Sequence, residues 1–212
     1  MVEVLERGDI SFFWRPAVQA ADAGLSPAGA ARIAARSGSS PLAEPGVQSF
    51  FVVLSTGSRH RRLRIGKKRM PATPGERLWA RVERVGSLRR VLADQLESER
   101  YTTKTRGERF QPGAELIARG AYAFVRHADH THLAYRLDQS EDAPAEVRVP
   151  DAGSHIVLFE RVPQGRALWT TDGEPRLLDE EGAECVLVGA DDEPEAELGI
   201  EVLCEPVAMT RA

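Results

Sequence analysis

The sequence contains few of the residues that would place it in a specialised class. Only two of its 212 residues are cysteine, Cys185 and Cys204, whereas small secreted scaffolds depend on many disulfides. We therefore expect both thiols to stay reduced inside a cell. No apolar run reaches the ~18 residues that a membrane helix needs, and the first residues lack the basic and apolar regions of a signal peptide. These absences predict a cytoplasmic protein with no membrane partner.

Familiar catalytic motifs are also missing. The chain has no Gly-x-Ser-x-Gly elbow, no His-Glu-x-x-His, no Gly-x-Gly-x-x-Gly and no Walker A loop. Neither cysteine has a neighbouring histidine or lysine that would activate its thiol. A function therefore has to be sought in less standard clusters of residues.

Charge is unevenly distributed along the chain. The formal net charge is −4, yet residues 55–109 hold 16 basic and 6 acidic side chains, a net of +10. Residues 138–212 hold 5 basic and 19 acidic side chains, a net of −14. Such asymmetry indicates an anionic partner for the basic part. It is equally typical of two parts that attract each other, within one chain or across a dimer, and the acidic whole slightly favours this second interpretation.

Short apolar or alternating runs, separated by glycine, proline and acidic turns, predict strands. They lie at residues 9–15, 50–54, 59–65, 78–85, 154–161, 166–170, 185–188 and 200–204, with a hairpin over residues 121–137. The best helix covers residues 88–97, with Ser87 as its N-cap. The sequence therefore predicts an α+β, mainly β fold of antiparallel sheets, in a barrel or a sandwich, with one or two short helices.

Two domain organisations are compatible with this pattern. Residues 1–212 form one compact domain, or a basic β-rich part over residues 1–137 precedes an acidic β-rich part over residues 138–212. Residues 17–46 are rich in alanine, glycine, serine and proline. That composition is typical of a flexible insertion, in which a short helix could begin at Ser26.

Three of the five histidines fall within six residues, in the segment 125–132, Val-Arg-His-Ala-Asp-His-Thr-His. If Ala128 and Asp129 form a hairpin turn, alternation of side chains between the two faces of a strand sorts the residues around them. The aromatic and leucine side chains then face the core together: Tyr122, Phe124, Leu133 and Tyr135. The imidazoles gather on the opposite face: His127, His130 and His132.

Imidazoles that converge from a rigid hairpin suit a divalent transition metal. His127, His130 and His132 are the candidate ligands, and Asp129 is a further ligand or an orienting partner. The spacing of the histidines matches no established zinc signature. The alternative interpretation is an exposed hairpin tip whose histidines bond to water and to their neighbours.

Two short motifs resemble the metal motifs of cupins, which are double-stranded β-barrel proteins. They are His130-Thr-His132 and the segment 150–155, Pro-Asp-Ala-Gly-Ser-His. The resemblance implies a cupin-like barrel in which His155 joins the metal ligands. The sequence departs from the cupin pattern where a cupin has glutamate, because Arg136 and Leu137 occupy those places.

Basic side chains supply candidate anion-binding sites. The densest cluster is residues 59–69, where Arg62 and Arg64 project from one face of a strand. A second candidate is residues 101–109, which carries Lys104, Arg106 and Arg109 beside a glycine that lets the backbone approach a ligand. Phosphate or carboxylate groups are the expected ligands. Single-strand binding would also need exposed aromatic side chains, and Trp79 lies nearby in the sequence.

Three segments taken together resemble a family of bacterial proteins to which no activity is attached. They are residues 8–16, 103–109 and 126–132. The resemblance spans most of the chain and implies no function.

The favoured hypothesis is a binding or regulatory protein that recognises an anionic ligand or partner, including nucleic acid. Its cleft would be lined by two groups of side chains: Arg62, Arg64, Lys104, Arg106 and Arg109, and the three clustered histidines. The second hypothesis is a metal-dependent enzyme that uses the histidine cluster and His155. The third is an interaction protein that forms homo-oligomers because its basic and acidic parts attract each other.

Overall fold

A computed structural model describes residues 2–20, 46–93, 97–161, 168–190 and 193–202. Strands dominate it, which confirms the predicted mainly β fold. The strands are β1 (Val2–Pro16), β2 (Gln19–Ala20), β3 (Val47–Thr56), β4 (Arg59–Ile65), β5 (Arg77–Gly86), β6 (Glu99–Thr103), β7 (Gly107–Gln111), β8 (Glu115–His127), β9 (His130–Ser140), β10 (Ala152–Arg161), β11 (Leu168–Thr170) and β12 (Glu184–Gly189). The helices are α1 (Leu88–Leu92) and α2 (Pro194–Leu198).

Eight of the strands close into an antiparallel barrel. Their order around the barrel is β1-β3-β4-β5-β12-β10-β9-β8, and β8 returns to pair with β1. The first four form one meander and the last four form another. Between the two along the chain lie α1, β6 and β7, and β6 and β7 form a small sheet with β2, which follows β1. A cupin jelly roll is instead built from Greek keys. Strand β11 lies against β10 beyond the end of β9.

The barrel interior is filled by the side chains that point inward from each strand. On β1 these are Ile10, Phe12 and Trp14, all buried. The Phe12 ring lies 6.2 Å from the Phe50 ring and 5.2 Å from the Tyr135 ring, centroid to centroid. Each large apolar side chain that is buried contributes ~1.5–3 kcal/mol to folding. The barrel is therefore a packed core and not a channel.

The basic and acidic parts of the chain meet within this barrel. Strands β4 and β5 come from the basic part and β10 and β12 from the acidic part, and β5 pairs directly with β12. Arg59 and Arg61 both bind Asp179, at 2.8 Å and 2.6 Å. Arg90 binds Glu181 at 2.9 Å. Part of the charge asymmetry is thus used in contacts within one chain.

Helix α1 is shorter than the helix that the sequence predicts. Helix α1 has the predicted N-cap, since Ser87 Oγ accepts from the backbone N–H of Arg90. It ends at Leu92 rather than near residue 97, because Arg62 donates to the carbonyls of Val91 and Ala93 and so replaces the next turn. Residues 94–96 lie outside the described residues.

The C-terminal part also departs from expectation. A strand was expected over residues 200–204, but residues 200–202 are not in a strand, and the remaining two lie outside the described residues. They follow helix α2, which begins at Pro194, ends at Leu198 and is capped by Gly199, a residue in the left-handed conformation with φ +64°. Of the expected insertion over residues 17–46, positions 21–45 lie outside the described residues.

Among the described residues, neither helix is long and apolar enough to cross a membrane. The predicted strand that carries Cys185 is present as β12, and its thiol is buried in the core. Burial raises the pKa of that thiol to about 12, so it is protonated and unreactive at neutral pH. Cys204 lies outside the described residues.

Candidate metal centre

The histidines lie on the β8–β9 hairpin in the predicted register. His127 pairs with His130, Val125 with His132, and Tyr122 with Tyr135. The pleat then separates the two kinds of side chain as expected. The aromatic residues are part of the barrel core, and the imidazoles lie together on the outer surface of the barrel.

The hairpin turn holds an unfavourable backbone conformation. Ala128 has a φ of +56°, a region that L-residues other than glycine and asparagine seldom occupy. The turn contains only Ala128 and Asp129, so it brings the ends of β8 and β9 directly together. Positive φ at an alanine costs of the order of 1–2 kcal/mol. The surrounding barrel holds this strained turn in place at the histidine cluster.

The three imidazoles are close enough to share one ion. Ring centroids lie 6.1 Å apart for His127 and His130, 6.0 Å for His127 and His132, and 5.1 Å for His130 and His132. One nitrogen from each ring lies within 4.8 Å of the others. Two nitrogens bound to one tetrahedral zinc at ~2.0–2.1 Å are about 3.3 Å apart. Small rotations of the rings would therefore bring all three nitrogens to bonding distance.

Neighbouring oxygen atoms orient two of the rings. The Nδ1 atom of His130 lies 2.7 Å from Oδ1 of Asp129. The Nδ1 atom of His132 lies 2.8 Å from Ser154 Oγ and 3.8 Å from Oε2 of Glu197. When Nδ1 is engaged in this way, Nε2 is left as the nitrogen that a metal can bind.

His132 is the buried member of the cluster, with a side chain only 1% exposed. Burial lowers the pKa of His132 to about 4, and the nearby charges of His130 and His127 act in the same direction. The ring is therefore neutral at pH 7, as a metal ligand must be. Within the described part of the chain, neither Nε2 of His132 nor Oε2 of Glu197 has a hydrogen-bond partner. Buried polar atoms without a partner are rare and call for a ligand.

Helix α2 covers one side of the histidine cluster. Leu198 and Val202 pack on the small outward residues of the hairpin, Ala121, Ala123, Val125 and Ala134. Arg136 fastens the helix to β9, because its guanidinium binds the Glu195 carboxylate at 2.9 Å and 2.6 Å. With the helix docked in this way, Oε2 of Glu197 lies 3.8 Å from Nδ1 of His132. Glu197 and Ser154 could not be predicted as neighbours of His132, because neither lies near the histidines along the chain.

His155 does not belong to this cluster. On β10 the side chain of Ser154 points outward to His132, so the next residue, His155, points inward. Its ring stacks on that of Tyr135 in the core, with centroids 5.9 Å apart. The expectation that His155 joins the metal ligands is therefore wrong. The two cupin-like motifs face opposite sides of the sheet and form no common site.

The arginines of β4 are far from the histidines. Strand β4 lies four positions from β9 in either direction around the eight-stranded barrel. Arg62 is buried, donates to backbone carbonyls at the C-terminal end of α1 and lies over the Phe51 ring. Arg64 is 48% exposed and has Glu83 at 3.6 Å. Arg62 is thus a structural residue, and of these two predicted arginines only Arg64 is accessible to a ligand.

The other predicted basic residues lie at a different end of the molecule. Lys104, Arg106 and Arg109 belong to the β6–β7 hairpin, whose neighbour β2 follows the end of β1. His127 pairs with Val2 at the beginning of that strand. With 15 residues in β1, the two ends are roughly 45 Å apart along the strand. The predicted cleft with basic residues and histidines on its walls is not formed by the described residues.

Comparison with known proteins adds no assignment. No protein-family model, no curated protein and no solved structure matches the chain.

Proposed function

We propose that this protein binds a divalent transition metal ion, with zinc as the best match, through His127, His130 and His132. The observation that carries the proposal is the convergence of three imidazole nitrogens within 4.8 Å on one rigid hairpin. Imidazole is a preferred ligand of zinc, copper, nickel and iron. A cytoplasmic location, expected from the sequence, is part of the proposal.

The surroundings of the cluster support this assignment. Asp129 holds His130 and Ser154 holds His132, while the Glu197 carboxylate lies 3.8 Å from the same nitrogen of His132. Metal-binding histidines commonly donate their second nitrogen to such groups, which fix the tautomer and raise the basicity of the ligand. The buried Nε2 of His132, which lacks a protein partner among the described residues, would gain one in the metal.

Three protein ligands leave a tetrahedral ion one further position. Structural zinc sites usually have four protein ligands, whereas catalytic sites keep the fourth position for water or substrate. His127 and His130 are only half-buried, so solvent reaches this side of the cluster. We therefore assign the site to the open, catalytic type, which agrees with the hypothesis of a metal-dependent enzyme.

Metal titration tests the binding step. Purified protein is stripped with a chelator and titrated with zinc, nickel and manganese by calorimetry, and bound metal is counted by elemental analysis. We expect one zinc per chain, and at least a tenfold weaker association for His130→Ala and for His132→Ala. His60→Ala is the matched control, because His60 contacts Ser55 on β3 and lies outside the cluster. Absence of stoichiometric binding, or an equal loss in the control, would refute the proposal.

Cobalt substitution tests the open position. The visible spectrum of a cobalt-loaded protein reports the number of ligands, and azide displaces metal-bound water. We expect a spectrum typical of low coordination number that shifts when azide is added. A spectrum that azide leaves unchanged would mean that the protein fills the fourth position, and the site would then be structural.

A further inference from the structure

Two of the three tryptophans lie on the surface of the barrel. Trp79 on β5 is 55% exposed and Trp169 on β11 is 36% exposed, whereas Trp14 is buried in the core. The two surface rings meet edge to face, with centroids 4.9 Å apart. Leu168 beside them is also exposed. Contiguous exposed aromatic surface of this kind usually marks a binding site.

Arginines flank this aromatic pair. Arg77 and Arg81 lie two residues before and after Trp79, so all three side chains point outward from β5. Arg64 on β4 lies opposite Arg81 in register. Within the described ranges, the side chains of Arg77 and Arg81 form no hydrogen bond or ion pair. We name this surface, formed by Arg64, Arg77, Trp79, Arg81 and Trp169, the tryptophan–arginine platform.

A cleft of about 290 Å³ adjoins Trp79. Arg64 and Arg81 line it, together with two carboxylates, Glu83 and Glu184. Glu83 is already engaged, because it has Arg62 at 3.4 Å and Arg64 at 3.6 Å. Glu184 pairs with Arg81 in the strand register but lies beyond ion-pair distance. Guanidinium groups therefore remain available at the cleft.

We propose that the tryptophan–arginine platform binds single-stranded nucleic acid. Exposed tryptophan rings stack on bases, whichever base is present, and arginines neutralise the phosphates between them. A purely apolar partner would bury the unpaired guanidinium groups of Arg77 and Arg81, which is costly. A duplex fits poorly, because its bases are stacked on one another and offer no face to a tryptophan.

The platform does not use the metal centre. None of its five side chains is a histidine, and β5 lies three positions from β9 around the barrel, although β11 adjoins the histidine hairpin, where the backbone N–H of Thr131 donates to the carbonyl of Thr171 at 2.7 Å. Binding is therefore expected in the presence of a chelator. Failure of zinc binding would leave this proposal standing, and failure of nucleic-acid binding would leave the metal proposal standing.

Fluorescence anisotropy with a labelled single-stranded oligothymidylate tests the platform, in low salt and with chelator present. We expect Trp79→Ala to weaken binding about 5- to 160-fold, the range found for loss of one stacked base, and Trp79→Phe to restore much of it. Arg81→Gln should weaken binding and reduce the dependence of affinity on salt by about 0.7 in the log–log slope. The matched control is Arg89→Gln, because Arg89 is exposed on α1 and outside the platform.

Several outcomes would overturn the proposal. These are absence of binding at low salt, equal affinity for a duplex of the same sequence, and equal affinity for thymidine monophosphate. An equal effect of Arg89→Gln would mean that attraction is diffuse and that the platform is not a site. Light scattering completes the test: if Trp79→Ala converts a dimer into a monomer and leaves oligonucleotide affinity unchanged, the platform is an interface between two copies of the chain.

Discussion

Two buried polar clusters of this barrel differ in how completely their atoms are paired. Inside the barrel, the Arg61 guanidinium binds Glu6 at 2.6 Å and 3.0 Å and Asp179 at 2.7 Å, and Tyr122 donates to the same glutamate at 2.7 Å. On the outer surface, Nε2 of His132 and Oε2 of Glu197 lack hydrogen-bond partners among the described residues.

This difference in pairing distinguishes a cluster that stabilises the fold from a cluster that can bind a ligand. A buried charge whose partners satisfy all of its nitrogens is complete, and a ligand would only disrupt it. A buried imidazole with one nitrogen held and the other unpaired has a place for a further atom. The Arg61 cluster is therefore assigned to the stability of the fold, and the histidine cluster to binding. Four substitutions test this distinction.

The largest effect is expected at the Arg61 cluster. Arg61→Leu leaves the Glu6 carboxylate without its main partner inside the barrel, and removal of one member of a buried ion pair costs ~3–5 kcal/mol. We expect urea denaturation to show a fall of that size in the free energy of unfolding. Arg59→Leu is the control, because Arg59 binds the same Asp179 but is 51% exposed, and its loss should cost ~0–1 kcal/mol. Equal losses would contradict the assignment.

His132→Leu should behave differently, although His132 is as buried as Arg61. The leucine removes an imidazole whose Nε2 is unpaired, so the unfolding free energy of the metal-free protein should change by less than about 1 kcal/mol. Zinc at a hundred times its dissociation constant should stabilise the wild type by ~2.7 kcal/mol and the variant hardly at all. Thermal melts with and without zinc provide the measurement. A large loss of stability without metal would make His132 structural.

Glu197→Gln sharpens the comparison by removing only the charge beside His132. Loss of such an orienting partner usually weakens metal binding 10- to 100-fold, about 1.4–2.7 kcal/mol. We expect that loss in a zinc titration of the variant. Glu195→Gln on the same helix is the control, since Glu195 binds Arg136 and not His132. Unchanged zinc affinity in Glu197→Gln would remove the carboxylate from the site.

Ala128→Gly should have the smallest effect and the opposite sign. Glycine accepts the positive φ of this turn without strain, so the free energy of unfolding should rise by ~0.5–1 kcal/mol. Ala72→Gly is the control: Ala72 is exposed and its φ is not positive, so glycine there should lower stability. Chemical denaturation of both variants provides the measurement. A decrease for Ala128→Gly would show that the turn is not strained.

Much of the fold and of the site could be predicted because the relevant signals are local. Alternation along β8 and β9 separates Tyr122 and Phe124 from the histidines, and a two-residue turn fixes which residues face each other. Both rules act within one hairpin, and both are confirmed by the register. The predicted N-cap at Ser87 is confirmed for the same reason.

Other expectations depended on contacts between distant segments. Arg62 was expected to be available to a ligand because it alternates outward on β4, yet α1 packs over it. His155 on β10 is close to His132 on β9, but its side chain points to the opposite face of the sheet. Alternation along a strand does not show which helix will pack on that strand. It also does not show that β10 pairs with β9, or in which register.

The sequence by itself determined that the chain forms antiparallel strands and that three imidazoles share one face of a hairpin, because side-chain alternation and turn length act over a few residues. Only the tertiary structure decided that Ser154 and Glu197 reach His132, that Arg61 is enclosed by Glu6 and Asp179, and that Trp79 meets Trp169. Those contacts join residues from 22 to 118 positions apart and arise when the barrel closes.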